Sequence, residues 1–176
     1  MLSLRDAVEH ADDFNLIPDH TAALLREARA YRKAGRHELA CVLYATWAEH
    51  FLNQLVVTGA KRKGLSEEDG VKMIRNLSFE SKFTWVPKLL GFRAIALSHQ
   101  KALRKLGELR NQYVHYKWRG YSAKGEKLDE YRQPVADFEK TVAYLGQYER
   151  REIFSGQKAA PRRFTKARQE RQKVKK

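Results

Sequence analysis

The 176-residue sequence has little of several residue types, and each shortage excludes a class of protein. A single cysteine, Cys41, can form neither an internal disulfide nor a cysteine-based metal cluster. Only 4 prolines and 10 glycines occur, which excludes a collagen-like or low-complexity chain. No apolar run has the length of a membrane span or a signal peptide. We therefore expect a soluble, cytoplasmic protein with no membrane partner.

Acidic residues are few compared with basic ones, and the imbalance lies in two segments. The chain has 21 Asp and Glu against 35 Lys and Arg, a formal net charge of +14. The last twenty residues, 157–176, hold nine basic residues, one acidic residue and almost no apolar ones. Such a segment cannot bury enough surface to offset the entropy that ordering costs. We therefore predict a folded domain over 1–156 and a disordered basic tail over 157–176.

The second basic segment, 91–119, lies inside the predicted domain and holds seven basic residues against Glu108 alone. A positive band together with a basic tail favours a polyanionic partner, and nucleic acid is the commonest polyanion. The alternative is a tail that only aids solubility or non-specific adhesion.

Apolar residues recur at intervals of three and four along most of the chain, and alternation with period two is nearly absent. This pattern predicts an all-α bundle of five to six helices. Pro87 is expected to bend or end its helix, and Pro134 suits a first helical turn. Start and stop signals predict a short first helix over 3–14 and, after it, the six helices of the bundle, over about 22–35, 38–57 (central in the bundle), 66–76, 78–90, 98–117 and 134–154.

The familiar catalytic motifs are missing. The sequence contains no glycine-rich phosphate loop, no Cys/His pattern for zinc and no serine in a nucleophile elbow. We accordingly expect neither a metal nor a cofactor. What is present is an arginine followed by an asparagine and, five positions after the arginine, a histidine, in the segment Leu106-Gly-Glu-Leu-Arg110-Asn111-Gln-Tyr-Val-His115-Tyr116.

Arginine and histidine occur at the same spacing elsewhere, so context has to separate the motif from chance. Arg32 and His37 have this spacing, but Gly35 interrupts any helix between them. Arg5 and His10 fall in the first short helix. Of these arginines, only Arg110 is followed by asparagine and preceded by a long helix with a leucine stripe.

The segment 106–116 resembles the signature of the HEPN family, small helical bundles in which an arginine, often followed by a polar residue, precedes a histidine by five to seven positions. The similarity extends more loosely over 22–117, where the central helix with Glu49 and the connector 78–91 have counterparts. Many HEPN nucleases also have a tyrosine two positions after the histidine. This chain has Lys117 there and Tyr116 one position earlier, which puts the role of the tyrosine in doubt.

The resemblance implies a metal-independent endoribonuclease of the toxin or phage-defence type, with RNA as substrate and an antitoxin protein as a further partner. The 2′-hydroxyl would attack the adjacent phosphate, with His115 transferring protons. Arg110 would neutralise charge developing on the phosphate. Asn111 would orient His115 or the ribose. The predicted RNA-binding residues are Arg104, Tyr116, Lys117, Trp118, Arg119, Arg162 and Arg163.

Helical geometry constrains how Arg110 and His115 could share one phosphate. At about 100° per residue, Asn111 and His115 lie about 40° apart, on a face away from Leu106 and Leu109. Arg110 lies about 140° from His115. A long arginine that wraps round, a distorted helix or a second subunit could resolve the offset. In HEPN family members that this chain resembles, a second subunit supplies the partner residue. We therefore expect a homodimer with a composite cleft.

Structural roles for the same residues stay open. Arg110 could pair with a buried acid such as Glu49, and His115 could be an exposed cation stabilised by the helix dipole. Four aromatic residues at helical positions are expected in the core rather than as base-stacking platforms: Trp47, Phe51, Phe83 and Trp85. Two residues of the central helix, Cys41 and His50, are expected only to fill space in the packing.

Three classes of function therefore fit the sequence. The first is the endoribonuclease, the second a non-catalytic RNA-binding helical protein, and the third a dimeric interaction scaffold. Cleavage that is lost in His115→Ala would select the first, and salt-sensitive binding without cleavage would select the second.

Overall fold

Six helices joined by turns make up the residues that the computed structural model describes, 21–116 and 129–153, and these ranges contain no strand. The prediction of an all-α bundle of five to six helices is confirmed. The short helix predicted over 3–14 and the predicted tail over 157–176 lie outside the described residues. The helices are α1 (Thr21–Lys33), α2 (His37–Arg62), α3 (Glu67–Asn76), α4 (Val86–Leu89), α5 (Leu97–Tyr116) and α6 (Asp129–Glu152).

Helix α2 is the centre of the bundle, as predicted, and each of the other five helices packs against it. Twelve of its 26 residues are buried, on several sides of the helix. Many of these residues are small, so neighbouring helices approach closely. The helix runs five residues beyond the predicted end at 57, where Gly59 packs under Leu90 and Phe92 and Ala60 is buried.

The starts and ends of the shorter helices follow from local chemistry. Gly35, with φ of 74°, follows the end of α1, and a left-handed conformation there is inexpensive only for glycine. A capping box begins α3: the Ser66 hydroxyl accepts from the Asp69 backbone N–H at 3.1 Å, and the Asp69 carboxylate accepts from the Ser66 backbone N–H at 3.3 Å. The hydrogen bond from the Ser66 side chain lowers the pKa of Asp69.

Two predictions about helix extent are wrong, and both concern prolines. Residues 79–85 form successive turns instead of a helix, and only the single turn α4 follows, with Pro87 near its start. The Ser78 hydroxyl accepts the Ser81 backbone N–H, which favours a turn over a continuing helix. Pro134 lies inside α6 rather than in its first turn. Packing of Tyr131 against the core accompanies the additional N-terminal turn.

Burial confirms most of the core prediction. Trp47, Phe51 and Phe83 are buried, and so is Cys41. Trp85 was expected in the core but its side chain is half exposed, because it caps α4 at the end of the turns and does not continue a helix. His50 was also expected to fill space and is exposed, on the side of α2 that carries the exposed Gln54.

A charged cluster joins α1, α2 and α6. The Arg29 guanidinium binds the Glu139 carboxylate through two hydrogen bonds of 3.0 and 2.9 Å, and Arg32 lies 3.9 Å away. The hydroxyl of the buried Tyr44 also donates to Glu139. The hydrogen bond from Arg29 is the largest cause of a lowered pKa at Glu139.

Gly59→Ala should destabilise the protein by about 1–3 kcal/mol, since the added methyl group overpacks the core. An ideal Cβ at position 59 would lie 2.6 Å from Phe92 Cε2 and 2.8 Å from Leu90 Cβ. Gly146→Ala is the matched control because it adds the same methyl group to a helix with nothing within 4 Å. It should stabilise by about 0.5–1 kcal/mol through helix propensity. Urea unfolding of both variants checks this, and a Gly59→Ala protein as stable as wild type would contradict the packing.

Glu139→Gln should cost about 1–2 kcal/mol at pH 7, because it removes a charged acceptor whose Arg29 partner is nearly half exposed. A carboxyl with a lowered pKa stabilises the fold above its ordinary value near 4.5, and this stabilisation is lost as the pH falls through the lowered pKa. The stability gap between wild type and variant should therefore close below about pH 4. Urea unfolding at pH 7 and pH 3 measures it, with the more exposed Glu27→Gln as control. A gap that stays constant with pH would contradict the assignment.

Candidate functional site around Arg110

Helix α5 presents the Arg110–His115 motif because its leucines bury the opposite side. Leu103, Leu106 and Leu109 are buried, whereas Glu108, Asn111 and His115 are exposed. The prediction that His115 lies outside the core is confirmed. Helix α5 is α-helical without interruption from Leu97 to Tyr116, so no distortion of the helix brings Arg110 and His115 together.

Arg110 is held by two acceptors on different sides of its guanidinium group. Nη1 donates to Glu49 Oε2 on α2 at 3.0 Å. Nε and Nη2 both donate to Asn111 Oδ1, each at 3.3 Å. The pairing with Glu49 that the sequence left open is therefore present. Asn111 contacts Arg110, a partner that the sequence analysis did not consider.

The Nε/Nη2 edge of Arg110 is the edge with the weaker partner. A single neutral amide oxygen accepts both N–H groups at the long end of the hydrogen-bond range. This edge is also one that binds the two oxygens of a carboxylate or phosphate in a fork geometry. Because Asn111 is exposed and 28% of the Arg110 side chain is accessible, an anion could replace the amide without rearranging the core.

Glu49 has a second cationic neighbour. The ammonium group of Lys82 lies 3.6 Å from Glu49 Oε1, while Oε2 binds Arg110. Lys82 is 3% exposed and comes from the turns over 79–85, where a helix was expected. The sequence does not predict the burial of Lys82, because a lysine that lies three positions from two aromatic residues gives little indication that it is buried.

The turns over 79–85 are fixed on α5 at the same place. Arg104 donates through Nε and Nη2 to Glu80 Oε1, at 3.0 and 2.6 Å. Phe79 lies against Gly107, where a Cβ would be 3.1 Å from its ring. Phe79 also packs edge-on against the buried Phe83. The segment that carries Lys82 is thereby held between α2 and α5.

The predicted positive band is largely compensated in the folded structure. Four of its five basic residues within the described ranges have a carboxylate within 4 Å: Arg93 with Glu152, Arg104 with Glu80, Lys105 with Glu130, and Arg110 with Glu49. Their acidic partners come from distant parts of the chain. The local charge along the sequence therefore overstates the positive charge of this surface.

The other predicted RNA-binding residues divide by position. Arg104 is on α5 but bound to Glu80. Tyr116 is the last residue of α5. Lys117, Trp118, Arg119, Arg162 and Arg163 lie outside the described residues.

Cys41 is a buried free thiol beneath α5. Its Sγ donates to the Leu106 carbonyl at 3.8 Å. Burial raises the pKa of the thiol to about 12, although the positive charges of Arg110 and Lys105 act in the opposite direction. A thiol with this pKa stays protonated at pH 7.

Two findings bear on ligands and membranes. Within residues 21–116 and 129–153, no three His, Cys, Asp or Glu side chains come together in a group that could hold a metal ion. Among the helices in those ranges, none combines the length and apolarity needed to cross a membrane.

The fold and the site define an all-α bundle with an arginine-centred charged cluster between its central helix and α5. Comparison with protein-family models, with curated proteins and with solved structures finds no match for this chain.

Proposed function

We propose that this chain is a metal-independent endoribonuclease of the HEPN type, acting in the cytoplasm as a toxin or in phage defence, with an antitoxin protein as its regulator. The observation that supports it best is the state of Arg110. Its guanidinium is anchored by Glu49 on one side, and within the described residues the acceptor on its Nε/Nη2 edge, an edge suited to a phosphate, is Asn111. His115, the other reactive residue of the motif, is exposed in the last turn of α5.

The chemistry follows from these two side chains. A 2′-hydroxyl attacks the neighbouring phosphorus, the bond to the 5′-oxygen breaks, and a 2′,3′-cyclic phosphate results. His115 takes the proton of the nucleophile or returns one to the leaving oxygen. Arg110 contacts the non-bridging oxygens, where charge develops in the transition state. The anchor on Glu49 fixes the guanidinium before the substrate arrives, so less entropy is lost on binding.

A dimer resolves the offset between the two residues. His115 is about 140° round the helix from Arg110 and about 7.5 Å further along its axis. A two-fold axis beside α5 would place Arg110 of one chain near His115 of the other. Val114, an apolar residue that is 56% exposed, lies about 60° from Asn111 on this end of the helix and would be covered there.

Arg110→Ala and His115→Ala should each lower the rate of RNA cleavage about 10²- to 10⁴-fold, the equivalent of about 3–5 kcal/mol of barrier. Cleavage by wild type should persist in excess EDTA and leave a 2′,3′-cyclic or 3′-phosphate. A 2′-deoxy nucleotide at the cut site should abolish it because the nucleophile is missing. Gel analysis of end-labelled RNA measures these outcomes.

Glu108→Ala is the matched control, since Glu108 is an exposed residue of the same helix between Arg104 and Asn111. It should leave cleavage and folding unchanged. Arg110→Lys keeps the charge without the fork and should retain only part of the rate. Cleavage that requires a metal ion, or an equal loss in Glu108→Ala, would contradict the mechanism.

Mixing the two inactive variants should restore activity if the cleft is composite. A heterodimer of an Arg110→Ala chain and a His115→Ala chain contains one cleft with both groups intact, so it should recover about half of the wild-type rate. Two affinity tags isolate the heterodimer, and sedimentation should show dimers at micromolar concentration. A strictly monomeric protein, or a heterodimer without activity, would exclude a shared cleft.

The ion pair with Glu49 favours a second function, non-catalytic RNA binding. An arginine that joins α2 to α5 contributes to the fold without touching a substrate, and the basic residues over 157–176 would then supply the affinity. Salt-sensitive binding that needs residues 157–176 and is never followed by cleavage would select this function. If RNA is neither bound nor cut, the interaction scaffold is the function left.

A further inference from the structure

Lys82 is unusual among the basic residues of the described ranges because its side chain is 4% exposed. Lysines are rarely buried without a partner, since an ammonium group taken out of water loses a large hydration energy. The carboxylate within 4 Å is that of Glu49, at 3.6 Å, which is an ion pair at the long end of the range. An apolar side chain in such a place is often at least as stable as a buried ion pair. Stability alone therefore does not explain a lysine here.

The charges around Glu49 do not cancel. One carboxylate stands between two cations, with Oε1 towards Lys82 and Oε2 towards Arg110. The remaining partner of Arg110, Asn111, is neutral. The cluster of Lys82, Glu49 and Arg110 therefore carries a net charge of +1, whereas Glu49 and Arg110 alone would sum to zero.

We propose that Lys82 is a positioning residue for the endoribonuclease reaction: its buried ammonium compensates Glu49, so that Glu49 can anchor Arg110 without cancelling the positive charge that Arg110 presents to an RNA phosphate. This inference rests on the proposed function. Lys82 itself is too buried to touch a substrate and acts through Glu49. In a simple Arg–Glu pair, the contact that fixes the guanidinium also neutralises its positive charge. With Lys82 present, the guanidinium is fixed and its positive charge stays uncompensated.

The fold explains why the compensating charge comes from the turns over 79–85. Every other helix of the described ranges packs against α2, so the partly buried Glu49 lies beside neighbouring elements that can supply its partners. Helix α5 supplies Arg110 on one side, and the turns held by the Arg104–Glu80 contact and by Phe79 supply Lys82 on the other. In a regular helix over 78–90, the helical repeat would set the direction of the Lys82 side chain. The turns instead hold it towards α2.

The test compares Lys82→Met, Glu49→Gln and the double variant. Methionine keeps much of the length and volume of the lysine side chain without its charge. Lys82→Met should raise the dissociation constant for inorganic phosphate, followed on the NMR signal of Arg110 Nε–H, about 10-fold, and lower kcat for RNA cleavage about 10- to 100-fold. The double variant loses one charge of each sign, so the cluster is again +1. It should bind phosphate within about 3-fold of wild type.

Glu49→Gln alone separates charge from anchoring. The cluster then carries +2, so phosphate binding should be equal or tighter, yet kcat should fall because the charged anchor of Arg110 is gone. This opposite movement of binding and turnover is not expected from a general loss of stability. Lys61→Met is the matched control: Lys61 is an exposed lysine paired with Glu67 at 2.7 Å, and its loss should change neither quantity.

Three outcomes would overturn the inference. Phosphate that leaves the Arg110 signal of wild type unmoved would show that the cluster binds no anion. An unchanged phosphate affinity in Lys82→Met, or a double variant no better than Lys82→Met, would show that Lys82 does not act through charge. If wild type binds phosphate at Arg110 with the predicted pattern across variants but does not cut RNA, the proposed function fails and the charge compensation stands.

Discussion

The wide burial of α2 is the constraint on which the rest of the structure depends. Five other helices pack against it and twelve of its 26 residues are buried, so a polar side chain on or beside the covered face requires a hydrogen-bond partner where water does not reach it. Tyr44 meets this requirement through Glu139 of α6, and Glu49 meets it through Arg110 and Lys82. The same contacts that satisfy the central helix therefore decide which residues of α5 and α6 face it. The motif on α5 is in this sense held in place by the core.

The distribution of charge shows how folding changes what the sequence suggests. A segment with seven basic residues and one acidic residue reads as a positive band, but acids from α2, α6 and the turns over 79–85 meet most of those cations in the folded chain. Pairs at an exposed surface contribute little to stability, yet they remove charge that a polyanion would otherwise meet. What distinguishes Arg110 is that the second cation beside its acid, Lys82, is buried.

Much of the fold could be predicted from residue spacing, whereas the charged cluster could not. The leucine stripe of α5, the apolar breadth of α2 and the capping box at Ser66 are local patterns, and they gave helices close to those observed. The helix limits predicted from prolines were wrong because the local preference of proline is weaker than tertiary packing. Pro134 lies within α6, whose first turns are held by core contacts. The prediction that Trp85 is in the core was wrong for a related reason. It assumed helical spacing in a segment that forms turns. The Arg110–Glu49 pair was foreseen as one alternative. Lys82 was not, because its partner is 33 residues away and no local pattern connects the two.

Whether Arg110 is a structural or a reactive residue depends on how its donors are distributed. A purely structural arginine would be expected to direct its donors at strong, buried acceptors. Arg110 has one charged acceptor, Glu49, whose side chain is 34% exposed, and it directs Nε and Nη2 at one neutral oxygen of the exposed residue that follows it in the chain. The amide of Asn111 loses little when water replaces Arg110, because its side chain is already at the surface. An anion with two oxygens would gain two charge-assisted hydrogen bonds at the same edge. Arg110 is therefore held more strongly by Glu49 than by Asn111. An anion could replace the Asn111 contact with little loss of stability.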